Sequence, residues 1–201
     1  MKKLLVLAIG AAILAGCQTP TTRIDTRNDR GAAVAAIDYR DVQEAASVLL
    51  DSLIATGRLE RKDDKLNVMA IGRVQNDTMQ RIDVDVITNY IVEELVNSGK
   101  VLVTSAIAHS DSNRDEMLSA VRSVRGDAEF NQATVAAQGQ LVAADLSLQG
   151  KIIQRELRMD NGDKQIEYYF SMMITDVHTG LRFWQKQHLI GKRTDAKTPT
   201  W

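Results

Sequence analysis

Apolar positions in residues 38–55 recur with a helical period. Val42, Ala45, Ala46, Leu49 and Leu53 fall at i, i+3, i+4, i+7 and i+11, one face of a helix. Gly57 follows as a stop, and the charged stretch 58–65 reads as a loop. Residues 66–71 (LNVMAI) form a short apolar run that predicts a buried strand, and the polar stretch 72–81 reads as a loop. The clearest helix is 83–98, with Val84, Ile87, Ile91 and Leu95 as its stripe and Gly99 as its end. Residues 101–104 make a second short strand, so the unit is strand, helix, strand, with the two strands parallel neighbours.

The pattern then changes. A helix is expected over 111–125 with Met117, Val121 and Val124 inward, and another over 127–144, weakened by Gly139. Three strands follow at 144–156, 164–177 and 181–191, joined across DNGD and HTG, connections short enough for hairpins. The sum is an α/β domain: a three-layer sandwich whose mixed sheet starts as β-α-β, ends in antiparallel hairpins and is flanked by helices.

The first residues obey different rules. Lys2 and Lys3 precede an apolar run, 4–14, that is long enough for a signal-peptide core and short of the ~20 residues that span a bilayer. Ala15 and Gly16 are small, and the only cysteine, Cys17, follows. Leu-Ala-Gly-Cys matches a bacterial lipobox. Cleavage after Gly16 and lipidation of Cys17 are expected, with acyl chains adding about 0.8 kcal/mol of membrane affinity per buried CH₂. Gln18 in place of Asp favours the outer membrane over the inner one. The expected organisation is a signal peptide at 1–16, lipidated cysteine and tether at 17–36, a globular domain at 37–195 and a tail at 196–201.

Charge and chemistry narrow the picture. Of 25 basic residues, Lys2 and Lys3 leave with the signal, so 23 face 26 acids and the remaining net charge is about −3. No basic block points to nucleic acid. No two of His109, His178 and His188 sit at i, i+4 on a helix and none neighbours a cysteine free to bind metal, so no metal or other cofactor is expected beyond the lipid on Cys17. No nucleophile elbow, Walker loop or dinucleotide fingerprint occurs. The acid pairs Asp63/Asp64, Asp83/Asp85 and Glu93/Glu94 suit a charged loop, a helix start and a helix surface. Tyr168/Tyr169 and Met172/Met173 are adjacent pairs in a strand, so each sends one member to either face. Tyr169 beside Met173 makes either a contact patch or the floor beneath a packed helix.

The lipobox, the polar tether, DYRDVQEAASVLLDSL, LNVMAIGRVQNDT, VAADLSLQGKI and ITDVHTGLRFWQ together resemble the LpoB-type lipoprotein activators of penicillin-binding proteins. Asp176, the Thr179-Gly180 turn and Trp184 carry the resemblance most clearly. These motifs are shared with TolB N-terminal and curli-secretion-type domains. The resemblance implies a non-enzymatic lipoprotein on the periplasmic face of the outer membrane. Its partner would be a class A bifunctional penicillin-binding protein, whose peptidoglycan synthesis it stimulates. A monomer is expected. Stimulation of this kind requires tighter binding to the active synthase than to the idle one. Contact candidates are the solvent-facing Tyr169, Arg182 and Lys186, whereas Trp184 is expected in the core.

The alternative is a structural or accessory lipoprotein of an envelope secretion or assembly complex. Some members of the resembled family carry long, proline-rich tethers. This chain has only Pro20 and Pro199. Its leash of ~19 residues reaches about 65 Å fully stretched and nearer 25 Å as a coil.

Overall fold

The computed structural model describes residues 34–61, 63–107 and 114–198. Helix α1 spans Tyr39–Ala55 and begins at a capping box. The Asp38 carboxylate accepts from the amides of Arg40 (2.9 Å) and Asp41 (3.2 Å), and Asp41 Oδ2 accepts from the Asp38 amide at 2.7 Å. Its expected stripe is buried in full, with Leu50 added. Strand β1 spans Asn67–Asp77, helix α2 Val84–Asn97 and strand β2 Val101–Val103. The α2 stripe Val84, Ile87, Ile91 and Leu95 is buried as its period requires.

Strands β3 (Leu146–Arg158), β4 (Lys164–Asp176) and β5 (Arg182–Thr194) complete a five-stranded sheet in the order β2-β1-β3-β4-β5. β1 pairs in parallel with β2 and β3; β3, β4 and β5 pair antiparallel. This is the α/β class and the mixed sheet that the sequence predicts.

The core lies between the sheet and helices α1 and α2. Ile166, Tyr168, Phe170, Met172 and Ile174 alternate along β4 toward the helices, each with 0% exposure. Opposite them across β3 stand Leu148, Gly150 and Ile152. A Cβ at Gly150 would sit 3.0 Å from Val74 Cγ2, so glycine leaves room for the Val74 side chain against β3. Each fully buried side chain of this size contributes about 1.5–3 kcal/mol.

The helices are shared unequally between the two faces. α1 packs on β4 and β5, and α2 on β1 and β2. The third helix, α3 (Glu116–Ser123), buries no residue. Met117 and Val121, expected inward, are 64% and 55% exposed. The sheet face away from α1 and α2 therefore carries half-buried and exposed strand side chains, with loop residues such as Ile107 beside it.

Two further expectations differ from the structure. The stretch 72–81 is strand as far as Asp77, because β3 pairs with it through a bulge between Ile71 and Val74. Residues 127–144 form turns and bends in place of a helix. There the Gln132 amide donates to the carbonyls of Val124, Asp127 and Phe130, and Arg125 donates to those of Ala136 and Ala137. Side chains satisfy the carbonyls that a helix would have paired internally.

Candidate functional site

The β4–β5 turn is built by its own residues. Asp176 Oδ1 accepts the Thr179 amide at 2.8 Å, and the Gly180 amide donates to the Asp176 carbonyl at 2.8 Å. Gly180 has φ +70°, which glycine adopts without steric penalty. The Thr179 amide holds the Asp176 carboxyl below the usual carboxylate range. Trp184 is 9% exposed and pairs with Ile174 on the core side. The residues that carried the family resemblance thus act in the turn and the core.

Asp145, which the sequence did not single out, joins four segments near this turn. Its Oδ2 accepts the Val68 amide at 2.9 Å and meets Arg61 at 3.2 Å. Its Oδ1 lies 3.4 Å from His178 Nε2, and its carbonyl accepts the Val177 amide at 2.9 Å. The Val68 amide, followed by the His178 and Arg61 side chains, keeps the Asp145 carboxyl below its ordinary value. On the exposed side, Arg61 pulls the Asp63 carboxyl down to about 2.

The opposite end of the sheet receives the chain from residue 34. Lys192 Nζ donates to the carbonyls of Val34 (3.0 Å) and Ala36 (2.7 Å) and pairs with Asp41. The Ile37 amide donates to Gln80 Oε1 at 3.0 Å, and Gln80 Nε2 donates to the buried Tyr168 hydroxyl. The incoming segment and the β4–β5 turn therefore mark the two poles of the domain. β5 runs between them, about 33 Å from Arg182 to Lys192 at ~3.3 Å per residue.

On the sheet face away from α1 and α2, Ile153, Tyr169 and Leu189 align across β3, β4 and β5. Tyr169 is half-buried, and Ile153 and Leu189 are 39% and 50% exposed. Lys151, Ser171 and Gln187 form one neighbouring row, with Gln149, Met173 and Gln185 beyond it, and Arg155, Glu167 and Gly191 form the row on the other side. The Tyr169 hydroxyl donates to Glu167, which lowers the Glu167 carboxyl and raises the phenol. An apolar centre inside a polar rim is the composition of a protein-binding surface.

The other contact candidates are less free. Arg182 is exposed and donates to Gln185 Oε1 at 2.7 Å. Lys186 projects on the core side of β5 and donates to Ser52 Oγ of α1 at 2.8 Å. Gly16, Cys17 and His109 lie outside the described residues. Among the described residues, no three His, Cys, Asp or Glu side chains gather as metal ligands. No described helix is long and apolar enough to cross a membrane.

Among curated proteins, none matches the chain. Among solved structures it is similar to the LpoB C-terminal domain from Salmonella enterica, with 16% identity, 75% of this chain and 98% of that one covered, and a TM-score of 0.45. The corresponding domain from Escherichia coli gives 16% identity, 76% and 99% coverage and a TM-score of 0.45. Lipoprotein GNA1162 from Neisseria meningitidis gives 12%, 64% and 84%, and 0.38.

Residues 41–190 match the sequence family described as peptidoglycan-synthase activator LpoB. That span takes in β1 to β4 whole, β5 as far as Ile190, all but the first two residues of α1 and the whole of α2 and α3. The chain belongs to the LpoB family of peptidoglycan-synthase activators.

Proposed function

We propose that this chain is a non-catalytic, lipid-anchored arm that binds a class A bifunctional penicillin-binding protein and stimulates its glycan polymerisation and cross-linking. The family match over 41–190 carries the reading. It favours this role over that of a secretion-complex accessory. Cys17 is the lipidation site, Gly16 the last residue of the signal, and the periplasmic face of the outer membrane the working location. No cofactor takes part beyond the lipid, and the arm works as a monomer.

The geometry supports an arm. The chain enters the domain at the Lys192 pole, so the open face and the β4–β5 turn are free to meet a partner. Tyr169, Ile153 and Leu189 supply the apolar centre of the contact, and Arg182 adds a contact at the turn end of the same strand as Leu189. Stimulation follows when this contact fits the active synthase better than the idle one.

The test is lipid II polymerisation by a purified class A synthase, with and without the chain. A rate and cross-linking yield that rise to saturation support the reading. A flat response across a saturating titration defeats it.

A further inference from the structure

The two edges of the sheet are treated differently. Along β5, Arg58 caps the Phe183 carbonyl at 2.8 Å, and Lys186 and Lys192 reach across to α1 and the segment before it. Such charged cover keeps an edge from pairing with another chain. The other edge has no such cover over most of its length. β2 pairs only with Asn67, Val68 and Met69, and the last bond there runs from the Thr104 amide to the Met69 carbonyl at 3.0 Å. β1 continues to Asp77 with β3 on one side and, among the described residues, no strand on the other.

A trench of about 800 Å³ follows this bare edge from Ala70 to Asn76. Ile82 and Val84, at the start of α2, form its apolar wall. Arg73 and Lys151 line the other side, and Lys151 is already paired with Asp77 at 3.0 Å. Arg73 is exposed and has no ion pair among the described residues. The bulge between Ile71 and Val74 turns Arg73 out, and Gly72 permits it: a Cβ there would lie 3.0 Å from the Leu148 carbonyl.

We propose that this edge accepts an extended segment of a protein partner in which acidic and apolar side chains alternate. The segment continues the line of β2 and pairs its backbone with β1. Strand side chains point alternately to the two faces. One set therefore meets Arg73, which selects carboxylates, and the other meets Ile82. At ~3.3 Å per residue the free edge spans about 23 Å, room for roughly seven residues. Backbone bonds supply affinity and the alternate side chains supply selectivity, as in other strand-addition complexes.

The experiment is amide hydrogen exchange on the full-length chain, with a synthetic heptapeptide alternating glutamate and valine. A second peptide has lysine in place of glutamate. The acidic peptide is expected to slow exchange of the 70–76 amides. The lysine peptide, and the Arg73→Glu variant with the acidic peptide, should bind about tenfold more weakly. No slowing at the highest soluble peptide concentration overturns the proposal, as does equal binding by both peptides. Edge amides already as protected as the β3–β4 ladder in the chain alone would show that its own residues fill the trench, and would overturn it as well. Neither result bears on the synthase reading, which the polymerisation assay decides separately.

Discussion

The ε-ammonium of Lys192 holds the carbonyl of Ala36 at 2.7 Å, across 156 residues of sequence. The same group takes the Val34 carbonyl and the Asp41 carboxylate, and its side chain is 11% exposed. Asp41 in turn completes the capping box of α1. One cation therefore fixes where the domain begins. Lys192→Ala should destabilise the fold by about 2–3 kcal/mol, because it leaves a mostly buried carboxylate and two carbonyls without that donor. Denaturant titration checks it; a loss under about 0.5 kcal/mol would show that the clamp is incidental.

Asp145 should confer acid sensitivity. Its folded carboxyl sits below its ordinary value, chiefly through the Val68 amide. A depressed acid stabilises the fold fully above its unfolded value, about 3.9, and loses that contribution as pH falls through the lower folded value. In Asp145→Asn, stability should be lower near neutrality and fall less steeply below about pH 4 than in the parent. Parallel stability curves for the two proteins would contradict the assignment.

Gly72→Ala tests the bulge. The added Cβ meets the Leu148 carbonyl at 3.0 Å, and that backbone belongs to the central β1–β3 ladder. A loss of about 1–3 kcal/mol is expected from the forced shift. A thermal midpoint equal to the parent's would mean that the ladder yields freely at this point.

Leu189→Glu separates binding from folding. Leu189 is 50% exposed beside Tyr169, so the carboxylate can remain in water and stability should change by less than about 0.5 kcal/mol. On the proposed function, stimulation of the synthase should fall at least about tenfold. Full stimulation by this variant would move the contact away from the open face.

Much of the fold was legible because its strongest signals are periodic. The α1 and α2 stripes and the three long strands emerge from spacing alone, and the two hairpin turns from Asn161-Gly162 and Thr179-Gly180. The polar end of β1 was not legible, because Gln75 and Asp77 lie on the open face, where polarity does not distinguish strand from loop. The missing helix at 127–144 turns on Arg125 and Gln132 reaching carbonyls several residues away, and no local pattern announces such bonds. Lys186 was within reach of the sequence. It stands two residues from Trp184, so if the indole enters the core, the lysine leaves from the same side of β5 and arrives at α1. Asp145 could not have been found this way, since its four partners come from Arg61, Val68, Val177 and His178.

The antiparallel course of α1 along β5 has a mechanical consequence. Contacts at Lys192 with Ala36 and Asp41, at Lys186 with Ser52, and at Phe183 with Arg58 are spread along one axis. A pull applied at Val34 and resisted at the β4–β5 turn loads these contacts in shear, together, rather than peeling them one at a time. A domain tugged from one pole while gripped at the other is thus braced along the direction of the force.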